Sequence, residues 1–126
     1  MLDWQQLPER VNRDPEFQVA SRHWTARLRL DTGDASRLLR FEEGRLVDID
    51  TAGAESACDL FVSAPESDWE GLLAREPRPF YQDLFGAQIH HDVRLPEDPL
   101  AYAAYYPALR RLVQLMSALR HEEESG

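Results

Sequence analysis

His90-His91-Asp92 is the first group of candidate ligands to consider in the sequence. Neighbours on a strand point to opposite faces, so His90 and Asp92 share a side and His91 does not. A zinc site needs three or four ligands, and no other cluster stands at ligand spacing. The expectation is therefore no metal. His90 reads as solvated, and His91 as either a hydrogen-bonded core residue or a polar group inside a cavity. Asp48, Asp50, Asp59 and Asp92 are the candidates for a general base. Such a carboxylate needs a perturbed environment and a reacting proton within reach. Strand parity puts most of the four on a solvated face, so they read as surface charge. There is no nucleophile elbow, Walker loop, dinucleotide glycine motif or His-Glu-x-x-His. No catalytic residue and no cofactor is expected.

What the sequence does concentrate is aromatic surface. Trp69, Phe80, Phe85, Tyr102, Tyr105 and Tyr106 fall on three consecutive helical segments. Such a set either fills a core or lines a pocket in which tyrosine hydroxyls act as the few polar anchors. Three tyrosines within five positions favour the lining. Buried hydroxyls need partners, and a ligand or trapped water supplies them. The same helix could equally be a dimer face, because tyrosine and methionine are enriched at interfaces.

The elements that position these side chains follow from periodicity. Residues 2–10 read as a weak helix with Trp4 and Leu7 on one side. Asn12 or Asp14 can cap a second helix with Pro15 in its first turn and Phe17 and Ala20 buried. From residue 22 the period becomes two: Trp24, Ala26, Leu28 and Leu30 alternate with Thr25, Arg27, Arg29 and Asp31, a half-buried strand. Asp31-Thr32-Gly33-Asp34 is a turn. Residues 36–41 return with Leu39 and Phe41 inward. Glu43-Gly44 turns again, and 45–50 form a third strand with Val47 and Ile49 on one side. Residues 58–63 form a fourth strand, in which Phe61 has the opposite parity to Leu60 and Val62. Ser67 and Glu70 fit a capping box, opening a helix with Trp69, Leu72 and Leu73 on one face. Pro77 and Pro79 end it, and Phe80, Leu84 and Phe85 form another stripe. Residues 88–95 read as a fifth strand with Ile89, Val93 and Leu95 on one face. The last helix runs to about Arg120, kinked or restarted at Pro107. Its stripe is Tyr102, Tyr105, Tyr106, Leu109, Leu112, Val113, Met116 and Leu119.

Composition sets the bounds. The 126 residues carry 14 basic and 23 acidic side chains, a formal charge of −9. Nucleic acid and anionic membranes demand a basic face, so neither is expected as main partner. With 43% hydrophobic residues the chain reads as one globular domain, its core about 15–120 and 121–126 a polar tail. The single cysteine, Cys58, permits no internal disulfide and suits a reducing cytoplasm. No apolar run reaches the roughly 18 residues of a membrane span, and 1–6 do not read as a secretory signal. Five mostly antiparallel strands with helices gathered on one face make an α+β layer fold.

The order of motifs resembles the sterol carrier protein type 2 family. Cys58-Asp59-Leu60, then Ser67-Asp68-Trp69, Leu72-Leu73 and Gly86-Ala87-Gln88-Ile89 match that family's succession of strand, helix, short Pro-containing helix and Gly-opened strand, over roughly residues 15 to 120. Leu95-Pro96-Glu97-Asp98-Pro99 stands where the family commonly has a Gly-Asp turn. The resemblance implies a twisted five-stranded sheet, helices on one face and an apolar tunnel between the layers. It implies a non-catalytic protein that binds or transfers a fatty acid, fatty acyl-CoA or sterol. Leu28, Phe41, Phe61, Trp69, Phe80, Phe85, Ile89, Tyr102, Tyr105, Tyr106 and Leu109 are the expected lining. Two other readings stand beside it: a partner or regulatory subunit that kept the fold and lost the ligand, and a small ketosteroid isomerase-like cone enzyme. A homodimer is compatible with each.

Overall fold

The computed structural model describes residues 2–22, 24–53, 56–74, 88, 92–95 and 99–125, with backbone alone for 99–104 and 123–125. Two short helices, α1 (Leu7–Arg13) and α2 (Pro15–Ala20), precede three strands, β1 (Ala26–Asp31), β2 (Ser36–Glu42) and β3 (Arg45–Ala52). A fourth strand, β4 (Leu60–Ser63), leads to α3 (Glu66–Leu72), and α4 (Pro99–Ser125) closes the order. Asp14 is the cap of α2, its side chain accepting from the Phe17 amide at 2.8 Å. Asn12 instead clips α1 to β3, because its side-chain amide exchanges two hydrogen bonds with the Leu46 backbone, at 2.8 and 3.0 Å.

Two hairpins join β1 to β2 and β2 to β3 in antiparallel register. Glu43 and Gly44 both have positive φ, the backbone that a two-residue turn needs to match strand twist. The sheet order is β3-β2-β1-β4, and β4 lies parallel to β1. The sheet is therefore mixed, not mostly antiparallel, and holds four strands among the described residues, not five. The chain crosses from the β3 edge to the far side of β1 within residues 53–59. The Asp59 carboxylate docks that crossing on the Arg27 amide at 2.7 Å.

Among the described residues of the expected fifth strand, Arg94 is the one that pairs, through two backbone bonds to Ser63 of 2.7 and 3.0 Å, while Gln88 is helical. Sequence limits how far a hydrogen-bonded ladder can extend from that pair. Extending the register by one hydrogen-bonded pair either way sets Pro96 opposite Phe61 and Pro65 opposite Asp92. Proline has no amide hydrogen to give. The Asp92 amide instead donates to the buried Asp68 carboxylate at 3.2 Å.

One sheet face carries Ala26, Leu28, Leu30, Leu39, Phe41, Leu46, Leu60 and Val62, all buried, and they join a single core with Leu7, Val11, Phe17, Trp69, Leu109, Leu112 and Met116. The other face carries Arg27, Arg29, Leu38, Arg40, Asp48 and Phe61. A bulge between Arg40 and Phe41 breaks the expected parity of β3: Leu46 turns inward, and Val47 is 44% exposed.

Three further boundaries differ from the periodicity reading. The capping box does not form, because α3 starts earlier, with extended Pro65 as its cap and no side-chain cap bond. Ser67 falls inside the helix, and Glu70 pairs with Arg120 instead. Helix α4 passes Pro107 as one element and continues to Ser125. Pro107 is exposed, where a missing amide costs least. The extra turn is held by an Arg10–Glu122 ion pair and by His121 Nε2 at 2.8 Å from the Leu73 carbonyl oxygen.

Candidate functional site

The stretch of helix α4 from Arg111 to His121 is fastened at both ends, to α2 and to the residue after α3. Near Arg111 the guanidinium takes both oxygens of the Asp14 carboxylate, at 2.8 and 2.9 Å, while that carboxylate still caps α2. The Arg111 hydrogen bonds and the Phe17 amide hold the Asp14 carboxyl below the usual carboxylate range, against a burial effect of opposite sign. Asp14 in turn raises Arg111. At the other end the Leu73 carbonyl accepts from Ser117 Oγ at 3.1 Å and faces His121. These clasps hold α4 to α2 and to the C-terminal end of α3.

Part of the space between the layers is filled by rings. Trp24 stacks on Phe41 at 4.5 Å between centroids and on Tyr105 at 5.2 Å, and Phe17 closes the group at 5.8 Å from Phe41. Phe41 is fully buried and Tyr105 half-buried. Within this packing the Trp24 indole Nε1 is buried and has no hydrogen-bond partner among the described residues. Orphaned buried donors are rare in native structures. Periodicity places Trp24 on the inward side of β1, but nothing in the sequence signals that its N–H lacks an acceptor.

The expected lining residues separate into three groups. Leu28, Trp69 and Leu109 are buried in the core together with Phe41, and Tyr105 and Tyr106 pack against it half-buried. Trp69 donates its Nε1–H to the Asp31 carbonyl at 2.9 Å, which ties α3 to the end of β1. Phe61 is set apart. It pairs with Arg29 on the face turned away from the helices, with the Arg29 guanidinium carbon 5.2 Å from its ring centroid. Phe80, Phe85, Ile89 and the side chain of Tyr102 lie outside the described residues, as do His90 and His91. Asp48 pairs with Arg40, and Asp50, Asp59 and Asp92 are exposed. No group of three or more His, Cys, Asp or Glu among the described residues could hold a metal. No helix among them is long and apolar enough to cross a membrane.

Two large open cavities adjoin the β4 edge. One, of about 640 Å³, lies over the β1–β2 turn and is lined by Asp31, Asp34, Ser36, Pro65 and Asp92. The other, of about 590 Å³, is lined by Arg29, Phe61, Gln88, Val93 and Leu95. Asp31, Ser63 and Arg94 belong to both.

With this geometry in place, the fold has clear counterparts among solved structures. A crystal structure of sterol carrier protein 2 matches with a TM-score of 0.72 at 19% identity, covering 91% of this chain and 93% of that one. A solution structure of a conserved hypothetical protein from Thermus thermophilus, described as possibly a sterol carrier protein, matches at 0.67 with 18% identity, covering 91% and 84%. A structure described as UbiJ-SCP2, a ubiquinone synthesis protein, matches at 0.59 with 24% identity, covering 89% and 90%. The chain thus has the α+β fold of sterol carrier protein 2. No protein-family model matches the sequence, and no curated protein does.

Proposed function

We propose that this domain binds or transfers an apolar ligand, of the fatty acid, fatty acyl-CoA or sterol class, between the sheet and the helices, without chemistry. The observation that carries this reading is the match, over 91% of the chain, to the structure described as sterol carrier protein 2. The binding free energy would come from removing ligand hydrocarbon from water, about 25 cal/mol per Å². Leu28, Trp69 and Leu109 offer apolar wall, with Phe80, Phe85, Ile89, Tyr102 and Tyr106 as the remaining proposed lining. Phe41 and Tyr105 act through the stack on Trp24. The polar anchor is the Trp24 indole N–H, a buried donor with no acceptor among the described residues, to which a ligand oxygen would supply one.

Native mass spectrometry of protein purified without added lipid, followed by uptake of a fluorescent fatty acid, tests this. Bound lipid or saturable uptake is expected, with roughly tenfold weaker uptake for Trp24→Phe, which keeps the ring and removes one buried hydrogen bond. A bare mass together with no uptake refutes the carrier reading. The UbiJ-SCP2 likeness favours a second reading, a subunit that kept the fold and works through a protein partner. A ligand-free protein whose rings pack solidly is what that reading expects.

A further inference from the structure

We propose that the cavity of about 590 Å³ on the outer face of the sheet is a second binding site, for a small organic anion with one apolar group. The site is independent of the space between the layers. Its lining is cationic although the chain carries −9: Arg29 and Arg94 face a single carboxylate, Asp31. Arg29 pairs with that carboxylate, donating Nε to Oδ2 at 3.1 Å and lying 3.1 Å from Oδ1, which is buried and accepts no hydrogen bond among the described residues. Arg94 is exposed and has no carboxylate or hydrogen-bond partner for its guanidinium among the described residues.

The donors left over are suited to an anion. Arg29 spends Nε on Asp31 and Nη1 on the Ser56 carbonyl, at 3.4 Å, which leaves Nη2. Ser63 presents a hydroxyl with no partner among the described residues, and its backbone pairing with Arg94 sets the two side chains on one side of the sheet. Two planar guanidinium groups and a hydroxyl match the oxygens of a carboxylate or phosphate. Phe61, half-buried beneath the Arg29 guanidinium, supplies the apolar contact. The adjoining cavity of about 640 Å³ adds Asp34 and Asp92 to its wall, which repel an anion and confine it to the Phe61 side. Arg29 is held in place by its pair with Asp31, so the site is largely set before the ligand arrives.

Phenyl phosphate is the probe, titrated into the full chain labelled with ¹⁵N at low ionic strength. Amide shifts are expected at Arg29, Phe61, Ser63 and Arg94, with binding at least about tenfold weaker in Arg94→Gln, the loss that accompanies removal of one charged hydrogen-bonding partner. Arg110→Gln, which removes an exposed arginine of α4, should leave binding unchanged. Ser63→Ala serves as a second variant should Arg94→Gln unfold, and it should also weaken binding. Shifts scattered over the exposed arginines, or equal affinity in Arg94→Gln, would overturn the site. Inorganic phosphate binding as tightly as phenyl phosphate would overturn the part assigned to Phe61. Neither result depends on whether the protein takes up a fatty acid.

Discussion

Replacing Asp14 with alanine removes three hydrogen bonds at once: one from the Phe17 amide and two from Arg111. The cap is worth about 1 kcal/mol. A fully buried pair broken on one side would cost about 3–5 kcal/mol, but here the side chains are 12% and 27% exposed, and the pair is better set at about 1–2 kcal/mol. Asp14→Ala should therefore cost about 2–3 kcal/mol. Asp14→Asn keeps a good cap and loses the charge, so it should cost about half of that. At roughly 4 °C per kcal/mol for a domain of this size, the melting temperatures should fall by about 8–12 and about 4–6 °C. Urea denaturation gives the same energies independently. A double-mutant cycle of Asp14→Asn with Arg111→Gln should return a coupling of about 1 kcal/mol. The pH dependence has a fixed sign. Asp14 is depressed in the folded state, so the unfolded chain binds its proton first, and the stabilisation is complete above the ordinary carboxylate range. It is lost as pH falls through the depressed value, and the gap between the parent and Asp14→Asn should close on acidification below about pH 4. Equal losses for alanine and asparagine, or a coupling below about 0.3 kcal/mol, would refute the claim that this clasp holds α4 to α2.

Two further substitutions test how the end of β1 positions α3. Gly33 has φ of 86°, and a Cβ there would stand 2.8 Å from the Glu66 amide nitrogen at the start of α3. Gly33→Ala should cost about 2 kcal/mol or more in urea denaturation, and a neutral result would show that the turn and α3 separate easily. Trp69→Phe deletes a donor to the Asp31 carbonyl from a fully buried side chain. It should cost about 2–3 kcal/mol, of which about 1 is the hydrogen bond. A loss under about 0.5 kcal/mol would mean that Trp69 fills space its neighbours readily reclaim.

What was legible in the sequence is what is local. Alternation along 24–31 and 36–41 places Leu28, Leu30, Leu39 and Phe41 inward, and all four are buried. Asp14 followed by Pro15 marks a helix start, and Asp14 does cap α2. Capping fails at Ser67 because a box needs the helix to begin at that residue, and Pro65, with its extended ψ of 157°, starts it earlier. Parity fails at Val47 because one inserted residue inverts every side chain that follows, and a bulge leaves no mark in hydrophobicity. The aromatic set was legible as a group, but its division was not. Tyr105 meets Trp24 across about two-thirds of the chain, whereas Phe61 faces away although it lies one residue from Leu60.

The choice of neighbour for β4 is the part no local pattern could supply, and it is also what shapes both candidate sites. After β3 the chain could have added a strand to the β3 edge. That edge carries the Val47 bulge and the exposed Asp50 and Thr51, features that blunt an edge against pairing. β1 instead offers Leu28 and Leu30 beside Leu60 and Val62, so pairing there extends the buried face without a break. Crossing to that side makes β4 parallel to β1 and makes it the strand that Arg94 meets. Pro65 and Pro96 have no amide hydrogen to give to the next hydrogen-bonded pair on either side of Ser63 and Arg94. The cavity beside Phe61 adjoins that pair and is lined by Ser63 and Arg94 themselves.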